Sequence, residues 1–181
     1  MFKLITHNIN KYEEMKRIIP NLKMHNMEYP EIQSKSVEEV VEFALNYVGD
    51  IIEGDFIIDD SGLFIESLNG FPGVYSAYVF ETIGNRGILR LMENEKNRNA
   101  YFKTVIGVRF QGVNYKLIGI CHGSIAYEER GTNGFGYDPI FIPEGKEKTF
   151  AEMSKEEKNR VSHRGKATRK LEAFLEKFGI R

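Results

Sequence analysis

Two apolar segments near the middle of the chain, AYFKTVIGVRF (100–110) and NYKLIGICHGSIAYEE (114–129), are separated only by QGV. Two such runs around a short glycine-containing break predict a hairpin of long strands, with Gly112 in the turn. The remaining elements must be arranged around that pair.

Before the pair, strand and helix signals alternate. FKLIT (2–6) reads as a buried first strand. In KYEEMKRIIPNL (11–22), Met15, Ile18, Ile19 and Leu22 recur at helical spacing, and Pro20 is expected to end or bend that helix. MEYPEIQ (27–33) is expected to be short and extended. Ser36 to Glu39 offers a capping box ahead of an apolar stripe of Val37, Val40, Val41, Ala44, Leu45 and Val48. DFIIDDSGLFI (55–65) predicts a short strand, then two aspartates and a Ser61-Gly62 turn. LNGFPGVYSAYVF (68–80) reads as a Gly- and Pro-rich loop passing into an aromatic segment. TIGNRGILRLMENE (82–95) reads as a helix carrying Ile88, Leu89, Leu91 and Met92.

After the hairpin, Pro139 to Pro143 predicts a buried strand. A second capping box at Ser154 to Glu157 precedes EKNRV, and RGKATRKLEAFLEKFG (164–179) is an amphipathic closing helix with Leu171, Phe174, Leu175 and Phe178 apolar. The pattern is that of an α/β protein with a mixed sheet. We expect a single domain over 1–181, the hairpin contributing to a second lobe across a cleft.

Charge narrows the function. With 25 basic and 26 acidic residues the net charge is −1, which argues against a protein built to hold a nucleic-acid backbone. The single cysteine, Cys121, sits in an apolar run and reads as strand packing; His122 beside it points to the opposite face. MFKLITHN is too short and polar for a signal peptide, and no apolar run reaches membrane-spanning length, so a cytoplasmic protein is expected.

Three clusters carry candidate chemistry. THNINK (6–11) lies at a strand-to-helix junction, where free backbone N–H groups favour phosphate; Asn8 could donate and Lys11 could neutralise charge. The ordinary alternative is an Asn cap and a surface lysine. Asp59 and Asp60 follow the apolar Phe56-Ile57-Ile58, and adjacent buried acids need a cation. Magnesium suits them, one acid holding metal and the other orienting or deprotonating water. A solvated turn is the alternative. Glu14 and Glu31 are not distinguished locally from surface acids.

The third cluster joins GTNGFGYDPIFIP (131–143) to KNRVSHR (158–164). If the first stretch is extended, Phe135 and Tyr137 flank Gly136 on the same side and could stack a base; core packing is the alternative. Asp138, Ser162, His163 and Arg164 could supply edge hydrogen bonds, or merely form a polar helix junction. Ser162 and His163 are adjacent and GxSxG is absent, which disfavours a hydrolase triad. No P-loop motif occurs, and the four scattered histidines disfavour zinc. Phosphate ligands, metal carboxylates and a stacking wall together describe a nucleotide site.

THNINKYEE, DDSGLFIESLNGFPGVYSAYV, GFGYDPIF and TFAEMSKEEKNRVSHRGKA, in that order over essentially the whole chain, resemble the inosine/xanthosine triphosphate pyrophosphatase (Ham1-like) family. The resemblance implies an elongated mixed-sheet ITPase-like (Ham1/Maf-like) fold with two lobes flanking a central cleft. It also implies a cytoplasmic homodimer that uses magnesium to hydrolyse ITP, dITP and XTP to the monophosphate and pyrophosphate. Thr6, Asn8 and Lys11 match the family's phosphate-binding TxNxxK, and Lys158 its phosphate-binding lysine. Glu31 falls at a metal-associated acid, and Asp60 at the general-base or metal-organising aspartate, with Asp59 beside it. Phe135, Gly136, Tyr137 and Asp138 match the base-stacking loop; Ser162, His163 and Arg164 match the base-recognition group. The chain departs from the family at His7, where TGN is usual, and at Tyr78, where a basic residue is common. A keto oxygen at C6 would accept hydrogen bonds from His163 or Arg164, whereas adenine's amino group would meet a donor, a mismatch costing about 1–3 kcal/mol. A non-catalytic nucleotide sensor and a nucleic-acid-binding module are the competing readings.

Overall fold

The computed structural model describes residues 2–180. In chain order the elements are β1 (Lys3–Ile5), α1 (Ile9–Lys16), β2 (Lys23–His25), α2 (Val37–Gly49), β3 (Phe56–Ile65), β4 (Pro72–Gly73), α3 (Ser76–Leu91), β5 (Asn99–Phe110), β6 (Val113–Ile125), β7 (Phe141–Pro143), α4 (Lys155–Val161) and α5 (His163–Lys177). One mixed sheet runs β2-β1-β3-β5-β6-β7, with β4 on the outer half of β3. The β1 strand is parallel to β2 and β3; the ladders from β3 through β7 are antiparallel.

The hairpin is present and dominates the sheet. Its register runs from Phe110↔Val113 to Asn99↔Ser124, so Val113 belongs to the strand and the turn is Gln111-Gly112 alone. Both turn residues have positive φ, 48° and 79°, the sense of turn that follows the strands' right-handed twist. Alternation along the strands divides the core between two faces. On one face Leu4, Ile57, Ile106 and Val108 pack under Ala167, Leu171 and Leu175 of α5. On the other, Ile5, Phe56, Ile58 and Val105 pack under Val41, Ala44, Leu45 and Val48 of α2. A further cluster, including Leu63, Ile65, Phe102, Phe141 and Phe150, closes the far end of the sheet.

Several expected elements shift. The α1 helix ends at Lys16 and leaves Ile18 and Ile19 in the turn before Pro20, which disfavours helix at the residue preceding it. The second strand is Lys23–His25, and MEYPEIQ after it forms neither strand nor helix. Ser36 caps α2 through Glu39 N–H, but Glu39 bonds Ser34 instead of closing the box. Both halves of the Ser154–Glu157 box form. The aromatic segment enters α3 at Ser76, and that helix breaks at Gly84. Asp138 to Ile140 form a 3-10 turn, so β7 starts only at Phe141.

The most consequential correction concerns β3. There is no turn at Ser61-Gly62: the strand continues for ten residues, pairing Asp59↔Ile106, Asp60↔Val105, Ser61↔Thr104 and Gly62↔Lys103. Glycine is needed at 62 for a different reason, because a Cβ there would lie 2.3 Å from the carbonyl oxygen of Gly73 on β4. Gly62→Ala should therefore force β4 off β3 and cost about 1–3 kcal/mol in denaturant unfolding. An unchanged midpoint would show that β4 is not held in this close approach.

Candidate active site

Apart from Glu31, the candidate site residues lie where the β1–α1 junction, the middle of β3, the 134–138 loop and the α4–α5 junction meet. Asn8 caps α1, its Oδ1 accepting from Asn10 N (3.0 Å) and Lys11 N (3.1 Å). Thr6 Oγ1 accepts from Asn8 N (3.0 Å), which fixes the exit from β1. The structure shows the ordinary alternative for Asn8, a helix cap through Oδ1, and its Nδ2 makes no hydrogen bond among the described residues. His7 is exposed, and the positive-φ non-glycine residues are Asn69 and Gln111, so this junction imposes no glycine conformation on His7.

Spacing along α1 places Lys11 and Glu14 on one face. Lys11 Nζ donates to the Asp59 carbonyl (3.1 Å) and lies 3.1 Å from Asp59 Oδ1 and 3.8 Å from Asp60 Oδ1. The contact with Asp59 Oδ1 is an ion pair without hydrogen-bond geometry, so that buried oxygen has no hydrogen-bond donor. Ser162 ends α4 and caps α5, its Oγ accepting from Gly165 N (3.0 Å), and the bend turns Lys158 and Arg164 inward together.

Arg164, only 2% exposed, donates from each of its three nitrogens. Its Nε donates to Asp59 Oδ2 (3.1 Å), Nη1 to Glu14 Oε2 (2.7 Å) and Nη2 to Ser61 Oγ (2.8 Å). Lys158 is 4% exposed and donates to Glu14 Oε1 (2.5 Å) and Asp138 Oδ2 (2.6 Å). Glu14 thus bridges two cations, one through each oxygen. Local sequence did not distinguish it, although its three-residue offset from Lys11 carried the signal. Ser61, Asn159, which donates to the Glu14 carbonyl (3.0 Å), and Tyr29 were also missed.

Burial and charge set the titration of these groups. For Asp59, burial pushes the carboxyl up, but Arg164 and Lys11 outweigh it and hold it below the ordinary range. Glu14 likewise falls because Arg164 and Lys158 overcome its burial. Asp138 goes the other way: burial exceeds what Lys158 and the Phe135 N–H return. Asp60 is raised as well. Burial first, then the neighbouring Glu31 and Asp59 charges, push it up to about 6 against the pull of Lys11. The Tyr29 hydroxyl is raised by burial and by the same Asp60, Asp59 and Glu31 carboxylates, which places it beside them. Glu31 is exposed, in the segment between β2 and α2.

The two rings do not form a shared wall. The loop is not extended: Gly134 and Gly136 have φ of 75° and 60°, which send the side chains different ways. Tyr137 is buried, donates its hydroxyl to the Ser76 carbonyl (2.8 Å) and meets Phe80 edge-on. Of the two rings only Phe135 faces the cations, with Lys158 Nζ 4.8 Å and Arg164 Cζ 5.8 Å from its centroid. Asp138 points inward to Phe135 N (2.9 Å) and Lys158. His163 is buried and stacked on Phe102 at 4.5 Å; burial and the nearby cations keep it neutral, and its Nδ1 has no partner. Cys121 is buried and its thiol is pushed up to about 11 by that burial.

Two surface depressions lie elsewhere. One, of about 170 Å³, is lined by Phe2, Ile19, Pro20 and Leu175; the other, of about 390 Å³, by Glu66, His122, Ser124 and Lys146. Neither includes a residue of the charge cluster.

Relatives share this arrangement of sequence and fold. The Ham1 family pattern matches residues 2–174. The dITP/XTP pyrophosphatase of Pyrococcus horikoshii is 60% identical over 149 residues, 82% of this chain and 78% of that one. That of Thermococcus kodakarensis is 50% identical over 175 residues, 94% of this chain and 95% of that one. The solved Ham1 protein of Staphylococcus aureus aligns with a TM-score of 0.84 at 33% identity, covering 97% of this chain and 98% of that chain. Matched in both sequence and fold over most of its length, the chain belongs to the Ham1 family.

Proposed function

We propose that this protein hydrolyses deaminated purine nucleoside triphosphates (ITP, dITP and XTP) to the monophosphate and pyrophosphate. The kinship with dITP/XTP pyrophosphatases supports the reaction class. The observation that carries it is the pairing of Lys11, Lys158 and Arg164 with carboxylates around an under-compensated Asp60.

Asn8 Nδ2, Lys11 and Lys158 hold the phosphates, with Thr6 fixing the loop that presents Asn8. Asp59, ionised and gripped by Lys11 and Arg164, positions those cations and is a poor proton acceptor. Asp60 is the carboxylate we assign to orient the attacking water and take its proton. Attack is at the α-phosphorus, pyrophosphate leaves toward Lys11 and Lys158, and no covalent intermediate with the protein is required.

Asp60 and Glu31 fit a divalent ion, for which magnesium is our assignment. A cation there would relieve the burial and repulsion that raise Asp60. Among the described residues no group of three or more His, Cys, Asp or Glu is arranged to hold a metal; an ion held by Asp60 and Glu31 would need substrate phosphates and water as its other ligands. When bound, the ion neutralises phosphate charge and polarises the reacting centre.

Phe135 offers the base its ring, with the Gly136 peptide beside it, Tyr137 and Asp138 bracing the loop, and Ser162, His163 and Arg164 reading the keto edge. Because Lys158 and Arg164 are already paired, the nucleotide exchanges contacts with Glu14 instead of meeting bare cations. We assign the working form as a cytoplasmic homodimer of single-domain chains with two lobes about a cleft. Exposed Tyr75, Tyr78 and Ile83 on and beside α3 offer a surface for the partner. No helix among the described residues is long and apolar enough to cross a membrane.

Pyrophosphate release from ITP, XTP, dITP, GTP and ATP with magnesium tests the function directly. We expect turnover of the first three well above the last two; no turnover of any would sink the enzyme reading, and equal turnover of all would remove the specificity. Asp60→Asn should abolish hydrolysis while leaving nucleotide binding measurable, and near-normal activity would take Asp60 out of the mechanism.

The same substitution has a stability signature without metal. A carboxyl raised from 3.8 to about 6 on folding binds its proton more tightly in the folded state. The parent protein therefore loses stability as pH rises through that window and carries the whole penalty above it. Metal-free Asp60→Asn should be more stable than the parent at pH 7.5, by up to about 3 kcal/mol, and the difference should close toward pH 4. A variant less stable than the parent at pH 7.5 would contradict the uncompensated carboxylate.

A further inference from the structure

One buried polar side chain outside the assigned residues touches the base-facing loop. Asn85, 9% exposed, donates from Nδ2 to the Gly136 carbonyl at 3.2 Å, 51 residues away in sequence. It follows Gly84, whose φ of 61° and ψ of −166° break α3. That region of backbone space belongs essentially to glycine, so the break is written into the sequence. It aims Asn85 at the loop while the first turn of the helix holds the next residue, through Tyr137 Oη and the Ser76 carbonyl (2.8 Å).

Gly136 needs such a hold. Its φ is 60°, and nothing lies within 4 Å of the place a Cβ would occupy. Asp138 fixes the Phe135 N–H on one side (2.9 Å) and Tyr137 is anchored on the other. The Gly136 carbonyl between them is held by Asn85 alone among the described residues. Yet Asn85 is a poor stabiliser, because its buried Oδ1 has no partner. Reversing the amide would set two oxygens against each other, so one atom stays unsatisfied in either orientation. An orphaned buried acceptor costs as much as the single bond yields.

We propose that Asn85 is a positioning residue for substrate recognition: it fixes the Gly136 peptide and thereby the pose of Phe135 against the purine base. It acts on affinity and leaves the chemistry to Asp60 and Lys11. The inference rests on the reading that Phe135 faces the base, and the experiment separates the two.

Steady-state kinetics on ITP should be measured for Asn85→Ala, Phe135→Ala and the double variant, with Tm for each. Asn85→Leu, similar in volume and lacking both polar atoms, guards against a cavity effect. For either Asn85 variant we expect KM to rise about two- to tenfold, the worth of one hydrogen bond, with kcat and Tm held or Tm raised. The double variant should be no worse in KM than Phe135→Ala alone. If Phe135→Ala leaves KM unchanged, the base-stacking reading fails and takes this inference with it. If Phe135→Ala raises KM while both Asn85 variants leave it unchanged, or the two effects multiply, only the positioning role is overturned. A lowered Tm without a KM effect would make Asn85 purely structural.

Discussion

Buried charge is the constraint on which this molecule turns. Lys11, Lys158 and Arg164 are brought beneath Glu14, Asp59, Asp60 and Asp138 from elements distant in sequence. Charges taken out of water cost several kcal/mol each unless paired, so breaking one pair leaves a penalty larger than the pair's own worth. Glu14 shows the dependence most clearly. Its two oxygens join the α4 lysine to the α5 arginine, so α1 and the α4–α5 bend are positioned by the same carboxylate. Arg164 then reaches β3 through Asp59 and Ser61, and Lys158 reaches the 134–138 loop through Asp138.

This arrangement explains how a site for a tetra-anionic ligand can exist in a chain of net charge −1. The cations are stored in ion pairs, where they are held in place without an exposed basic face. A nucleotide gains interactions already oriented, which is the condition for strong electrostatic stabilisation of a reacting phosphate. The pairs also divide labour between neighbours in one strand. Asp59 is held ionised by Arg164 and Lys11, while Asp60, one residue on, is left with too little positive charge. Adjacent identical residues shift in opposite directions because successive strand residues face different surroundings.

Much of the fold was legible because it follows from local periodicity. The hairpin, the apolar stripe of α2 and the amphipathic α5 appear where their patterns place them. What escaped depended on partners far along the chain. Asp59-Asp60-Ser61-Gly62 has the composition of a turn, but β5 pairs it throughout and cations from two helices meet its acids. Glu14 looks like a surface acid until Arg164 and Lys158, at least 144 residues on, close over it. Tyr137 differs from Phe135 only through the dihedrals of Gly134 and Gly136, which alternation cannot reveal. The motif residues themselves were readable, and most of them do converge; the contacts that assign their tasks were not.

The account turns on Asp60, unlike its strand neighbour Asp59, being a carboxylate whose burial the surrounding cations do not offset. Carbon-13 NMR titration of the aspartate and glutamate carboxyls in the metal-free protein reads this directly. The account predicts a midpoint near 6 for Asp60, with Asp59 and Glu14 titrating below the ordinary carboxylate range. An Asp60 midpoint at or below its unfolded value, or an Asp59 midpoint above that of Asp60, would contradict it.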